Sequence, residues 1–503
     1  MSKKKVFIVG AITFFILSFV TIFSKLNNSG GEKVREPVVA GAFYPANPGE
    51  LARMVDELIG KANPKEINGQ VVGLVCPHAG YIYSGHVAAH SYALLKGKDI
   101  ERVVIISPSH VTAFSGAAIY DGDVYATPLG RIEVDKKFAE KLASSHRLLK
   151  LSEEGHETLY QGRGEHAIEV QLPFLQRVLG EFKLVPVVMG DQNYETCRTL
   201  GKALAKLIKD NKTIIVASSD LSHFHSYDEA VKLDHKVINA IKEWDYFNLL
   251  RNLQSRIWEA CGGGPIVATM IAAEELGANE AILLKYANSG DVPAGERSRV
   301  VGYSAIAFCK NKEAHRNKDN EFSLSKAEQE ELLKIARQAV ESIVRQKKVL
   351  EISHCEYEAL KQDRGAFVTL RKHGQLRGCI GYTAPIQPLY LTVRDAAISA
   401  AERDPRFRPV QEDELDELSY EISVLSPMRH VRDINEIVIG KHGLVVKKGY
   451  SEGLLLPQVA PEQGWDCIEF LEHTCRKAGL PPEAWKDEDT DIFCFTAFVF
   501  GEH

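Results

Sequence analysis

Four short runs, VVGLVC (71–76), VVIIS (103–107), LVPVV (184–188) and TIIVAS (213–218), are apolar almost throughout and rich in β-branched residues. Strands apolar on both faces are covered on both, so these runs predict a mainly parallel central sheet between helical layers. GHVAAHSYALL (85–95), TCRTLGKALAKLI (196–208) and IVATMIAAEEL (266–276) supply helices, giving an α/β domain over residues 35–309. A charged stretch with few apolar side chains, KNKEAHRNKDNE (310–321), then reads as a linker over 310–322. Beyond it, Ser325 and Glu328 make a capping box ahead of Leu332, Ala336, Val340 and Ile343 on one helical face. Phe367–Leu370 and Leu376–Ile380 predict a hairpin turning at His373-Gly374. A helical stretch (388–404) and the strand YEISVLSP (420–427) follow, so residues 323–503 form a smaller α+β domain.

The N-terminus has a different pattern. Lys3-Lys4-Lys5 precedes an uncharged, mostly apolar run from Val6 to Phe23, about 27 Å long as a helix and enough to cross a bilayer core. No Ala-x-Ala-like cleavage site lies before Lys25, so the expectation is one uncleaved transmembrane helix. The basic cluster would stay cytoplasmic, leaving a single-pass membrane protein with its bulk extracytoplasmic. Residues 1–34 are then anchor and tether, the polar SKLNNSGGEKV (24–34) being the tether.

Composition narrows the function. A chain of 503 residues exceeds one core, and 61 Lys+Arg against 67 Asp+Glu leave a net charge of −6, with no basic field that calls for nucleic acid. Nine cysteines are scattered with no Cys-x-x-Cys pair, against both a disulfide framework and a zinc ribbon; reduced or metal-bound thiols are the expectation.

The chemistry follows the apolar runs. His78 comes just after the first, His110 just after the second, and Asp220 and His223 just after the fourth. In an α/β sheet, ligands bind outside the carboxyl ends of the strands, so these side chains share one rim. Cys261, in Cys261-Gly262-Gly263-Gly264-Pro265, opens a helix whose dipole favours its thiolate, as ligand or nucleophile. His78, His110 and Cys261 offer two imidazoles and a thiolate, a set suited to a transition metal such as iron, copper or zinc. His223 is a candidate general acid/base that Asp220 would orient. His166, a candidate for substrate binding, and Glu169 stand three apart on one helical face, a spacing that allows them to pair, with Pro173 expected to bend that helix just beyond. Tyr44, Tyr81 and Tyr83 either wall the pocket or are core. In the second block Cys379 is either a nucleophile, with His373 or His430 as base, or a buried thiol. Arg377, Arg403 and Arg406 are candidates to hold an anionic group. No P-loop, G-x-G-x-x-G after a strand or RNP signature is present.

GAFYPANP (41–48), PHAGYIYSG (77–85), SPSH (107–110), EHAIEVQLPFL (165–175), SSDLSH (218–223), CGGGP (261–265) and YANSGD (286–291) make the first block similar to the Memo family, also called AmmeMemoRadiSam system protein B. That resemblance implies a fold like class III extradiol dioxygenases and a metal site at His78, His110 and Cys261, with Asp220 and His223 lining the pocket. Those dioxygenases hold iron(II) with two histidines and a carboxylate; Cys261 stands in place of the carboxylate. LRGCIG (376–381), RDPRF (403–407) and EISVLSP (421–427) make the second block resemble the AMMECR family, AmmeMemoRadiSam system protein A. The resemblance also implies a separate radical S-adenosylmethionine partner, since the chain has no Cys-x-x-x-Cys-x-x-Cys run. The expected cofactor is iron(II), with copper or zinc as alternatives. Three functions compete: redox chemistry on a small molecule or peptide at the metal rim, a non-catalytic metal- or peptide-binding scaffold, and ring cleavage in the strict sense.

Overall fold

A computed structural model describes residues 31–64, 66–156, 164–311 and 322–502. The central strands of the first domain are β1 (Gln70–Cys76), β2 (Arg102–Pro108), β3 (Ala117–Ile119), β4 (Leu149–Leu151), β5 (Lys183–Met189), β6 (Thr213–Ser218), β7 (His223–His225), β8 (Glu280–Asn288) and β9 (Val300–Lys310). They form one nine-stranded sheet in the order β7-β9-β1-β6-β2-β5-β3-β4, with β8 paired to β9. The four runs predicted from hydrophobicity are β1, β6, β2 and β5, and they lie side by side and parallel. Helices α1 (Tyr81–Ala93), α2 (Tyr194–Leu207), α3 (Tyr227–Lys242) and α4 (Gly263–Glu275) belong to the layers around this sheet.

Two expectations need correction. The sheet is mixed rather than mainly parallel: β3 runs antiparallel to β5, and β7, β8 and β1 all run antiparallel to β9. The continuous apolar run that marks parallel strands reports double-sided burial, and β9 is as buried as they are, so burial alone did not give its direction. The second correction concerns the membrane. No helix among the described residues is long and apolar enough to cross one. The run from 6 to 23 lies outside the described residues, so the transmembrane helix, the single-pass topology and the extracytoplasmic placement are withdrawn. Most of the expected linker also lies outside them.

The second domain contains α5 (Lys326–Gln346), β10 (Ala366–Lys372), β11 (Gln375–Tyr382), α6 (Leu389–Glu402), β12 (Leu418–Leu425), β13 (Arg429–His430), β14 (His442–Lys448), β15 (Ser451–Leu455) and β16 (Asp491–Gly501). Its seven-stranded sheet runs β11-β10-β12-β16-β14-β15, with β13 on β16, and every pairing is antiparallel. Ser325 and Glu328 close the expected capping box on α5. The β10–β11 turn puts His373 at φ 51 and Gly374 at φ 78, the paired left-handed residues of a tight hairpin.

The two domains share apolar core. Leu425, Met428, Val445, Phe493 and Phe495 of the second pack in one buried cluster with residues of the first. Phe493 is central: its ring lies 4.9 Å from Phe247, 5.9 Å from Tyr246 and 6.4 Å from Tyr194.

Arg377, on β11, is buried against Glu414, donating Nε to Oε1 at 3.1 Å and a terminal nitrogen to Oε2 at 2.8 Å. Hydrogen bonding to Arg377 holds the Glu414 carboxyl down at about 2. Removing one partner of such a pair strands the other, so Arg377→Ala should lower the domain's unfolding free energy by about 3 kcal/mol at neutral pH. Because the folded value lies below the ordinary 4.5, the pair contributes fully above that pH and fades as pH falls toward 2. Urea unfolding at neutral and strongly acid pH reads both effects; an Arg377→Ala deficit that persists unchanged at pH 2 would contradict the assignment.

Candidate metal centre

β1, β6 and β2 are adjacent and parallel, so the loops after them meet at one edge. One ligand atom each from His78, His110 and Cys261 converges there, all within 4.8 Å of one another, and His78 Nε2 lies 3.3 Å from Cys261 Sγ. Four-coordinate metal–nitrogen and metal–sulfur bonds place neighbouring donors roughly 3.5 Å apart, so the spacing suits a single transition metal.

The ring nitrogens are assigned by the hydrogen bonds behind them. Gln171 Nε2 donates to Pro77 O at 3.1 Å, which fixes its amide orientation, and it also donates to Ser218 Oγ at 2.8 Å. Ser218 Oγ spends its single proton on Ala167 O at 2.7 Å. It can therefore only accept from His78 Nδ1, 2.9 Å away, so Nδ1 carries the hydrogen and Nε2 keeps its lone pair. His110 is set by a carboxylate: Nδ1 faces Glu165 Oε1 at 3.0 Å, again leaving Nε2 as the ligand atom. Glu165 Oε2 also accepts from the His110 backbone N–H at 2.6 Å, and Oε1 accepts from those of His166 and Ala167. Burial works against its charge, but His110 holds the Glu165 carboxyl down at about 2.

Cys261 reaches the cluster through its glycines. A Cβ on Gly262 would stand 2.3 Å from Ser218 O, so only glycine lets this turn lie against the end of β6. Gly262 N donates to Ser219 Oγ, and Gln192 clamps the turn by donating to Cys261 O at 2.8 Å and accepting from Gly264 N at 2.6 Å. The Asp220 backbone N–H donates to Cys261 Sγ at 3.2 Å. Burial raises the thiol, yet the neighbouring imidazoles of His78 and His110 outweigh it and bring Cys261 down to about 7. Burial likewise opposes protonation of His110, but its bonds to Cys261 and Glu165 raise it to about 10, so a metal binding at Nε2 would displace a proton there.

The other candidates are placed as follows. Asp220 is buried and accepts from the His78 backbone N–H at 2.8 Å; burial pushes its carboxyl up to about 6. The groups that orient His223 are Leu221 O, which takes its Nδ1 proton at 2.8 Å, and Glu259, which accepts from its backbone N–H at 3.2 Å. His223 Nε2 is thereby left as a lone-pair acceptor. His166 stacks on His110 at 4.8 Å and meets His78 edge-on at 5.4 Å. Its expected partner Glu169 faces elsewhere, accepting from Arg35, Val38 N, Val39 N and Tyr44 Oη. The predicted continuous helix is a 3₁₀ turn at Glu169–Gln171 followed by a helix from Leu172, and Pro173 sits in that helix's first turn rather than at a bend. Tyr44 and Tyr81 are buried, with hydroxyls donated to Glu169 and to Val170 O, each at 2.6 Å. Tyr83 is half-buried.

Cys379, Arg377, Arg403 and Arg406 belong to the second domain and stand apart from this cluster. Thr369 Oγ1 donates to the Cys379 thiol at 3.2 Å, and burial raises that thiol. Of the two histidines considered as bases, His430 faces Asp491 and His373 faces Glu417. Arg406 is exposed and paired to Asp404, which in turn accepts from Cys379 N at 2.8 Å; Arg403 is exposed at the end of α6. Sequence reasoning missed Ser218, Glu165, Gln192 and Glu259 as supporting residues. Glu165 and Ser218 each begin a quoted motif, whereas nothing local marks Gln192 or Glu259.

The family model for Memo-like protein matches residues 35–307, and that for AMMECR1 matches residues 333–500. A MEMO1 family protein of Methanopyrus kandleri is 40% identical over 285 residues, covering 54% of this chain and 98% of that protein. Another from Methanocaldococcus jannaschii is 39% identical, again over 54% of this chain and 98% of its own. The crystal structure of an uncharacterized protein from Pyrococcus horikoshii is 44% identical, covers 34% of this chain and 90% of that one, and has a TM-score of 0.33. The chain belongs to the Memo family and carries an AMMECR1 domain behind its Memo-like half.

Proposed function

We propose that this chain is a metalloprotein that binds one transition metal, iron first among the alternatives, through His78 Nε2, His110 Nε2 and Cys261 Sγ. The observation that carries the reading is the convergence of three donors whose opposite nitrogens or backbone are already committed to hydrogen bonds. A first-row metal held by three protein donors supplies a Lewis-acid and redox centre with positions left for a small molecule or peptide. His223 Nε2 is the group that takes or returns a proton there, its ring held by Leu221 O. His166 and the half-exposed His110 wall the open side. Oxidation or reduction of a bound substrate is the reaction class this set suits, in concert with a separate radical S-adenosylmethionine protein.

Full-length protein purified without oxygen should carry near-stoichiometric iron or another first-row metal, lost in His78→Ala and in Cys261→Ser. A wild-type chain that arrives metal-free and takes up none on reconstitution would overturn the reading. The hydrogen bonds behind the ligands give a second test. Ser218→Ala and Glu165→Gln should each weaken metal binding by about 10- to 100-fold, measured by competition with a chelator. Unchanged affinity in both would mean that the imidazoles do not bind as assigned.

A further inference from the structure

Contacts of the C-terminal domain lead back to Cys261 by two routes. The first starts at Asp491, a carboxylate with side-chain exposure of 2% at the beginning of β16. Within its own domain it meets His430, and across the boundary it accepts from three groups on α2: Arg198 Nε at 2.6 Å, Tyr194 Oη at 2.8 Å and Lys202 Nζ at 3.0 Å. Arg198 also donates to Glu488 O. α2 starts immediately after the Asp191-Gln192-Asn193 turn, and Asn193 caps it through Thr196 N. Gln192 is the residue that grips Cys261 O and Gly264 N. The helix held by Asp491 is therefore the helix whose leading turn holds the thiolate loop.

The second route runs along α4, which begins two residues after Cys261. Arg432, in the C-terminal domain, donates to Glu274 O in the last turn of α4, and Tyr246 Oη reaches the Glu274 carboxylate at 3.2 Å. The two routes are tied together. A Cβ on Gly201 of α2 would stand 2.8 Å from Ala268 O of α4, so the helices touch through their backbones. Phe493, seated against Tyr194, Tyr246 and Phe247, adds an apolar anchor to the same junction.

We infer that the AMMECR1 domain acts as a built-in positioning partner for Cys261, with Asp491 and Arg432 as the positioning residues that hold α2 and α4 in register. The inference deepens the metal reading for as long as a metal is bound, but its geometric part, the placement of the thiol, holds for the metal-free chain as well. A two-domain chain built this way links the state of its second domain to the affinity of its metal site.

The test uses the full chain with Asp491→Asn and Arg432→Ala, and with Glu414→Gln as a control that perturbs a buried carboxylate paired within its own domain. Two properties are measured: the alkylation rate of Cys261 by iodoacetamide in metal-free protein, read by peptide mass spectrometry, and Co(II) affinity, read from the thiolate-to-cobalt absorption band. Asp491→Asn and Arg432→Ala should each weaken Co(II) binding by about tenfold and shift Cys261 alkylation several-fold, while Glu414→Gln leaves both at wild-type values. Asp491→Glu should restore part of the loss. Variants that match wild type in both measurements overturn the inference, as does a control that shifts them equally. If wild type gives no thiolate band yet alkylation still responds to Asp491→Asn, the metal reading fails and the coupling stands. A normal band with no response in either variant has the opposite meaning.

Discussion

Ser218 Oγ has one proton, and Ala167 O takes it. That leaves two lone pairs, one filled by Gln171 and the other by His78 Nδ1, so the imidazole of His78 is left one way to face the open rim. The rest of the centre depends on such one-way assignments. Glu165 does for His110 what Ser218 does for His78, with a charge in place of a hydroxyl. Asp220 ties both ends together, since its carboxylate holds the His78 backbone and its own N–H points at the Cys261 sulfur. Buried polar groups with every donor and acceptor committed are rigid, and rigidity is what a metal needs from donors contributed by distant parts of the chain.

The sheet makes that rigidity available. Because β6 lies between β1 and β2 and all three run parallel, the residues just beyond them are neighbours although far apart in sequence. Cys261 does not come from a strand. It is brought in by the start of α4, where Gly262 lets the turn lie against the end of β6 and Gln192 fastens it from α2's side. The thiolate is thus the ligand with the longest chain of supports, and those supports extend into the second domain through Asp491 and Arg432. A shared apolar cluster around Phe493 makes the two halves one packed unit rather than beads on a tether.

Much of this was legible in the chain. Double-sided apolar runs marked the four parallel strands to within a residue at either end, because burial on both faces leaves no polar alternation to misread. His78, His110 and Cys261 were legible because strand ends and helix starts are local features, and the fold puts those ends at one edge. The antiparallel additions were not, since direction depends on long-range pairing of β9 with β1 and β8. The pairing of His166 with Glu169 failed because helical spacing was assumed where the backbone makes a 3₁₀ turn, which aims Glu169 at Arg35 and Tyr44 instead. Arg377 and Arg406 looked available for an anion, but each already has a carboxylate of its own domain, a fact that only tertiary structure supplies. Gln192 and Glu259 carry no motif at all; their roles come from which loop folds over which.

The most direct test of the account is X-ray absorption spectroscopy of the full-length protein loaded with iron(II) or zinc. Nitrogen ligation by His78 and His110 with Cys261 as the sulfur donor predicts one sulfur scatterer at about 2.3 Å, together with imidazole nitrogens at about 2.0–2.1 Å for zinc. The sulfur shell should vanish in Cys261→Ser. A first shell of nitrogen and oxygen alone in the wild-type protein would contradict the account.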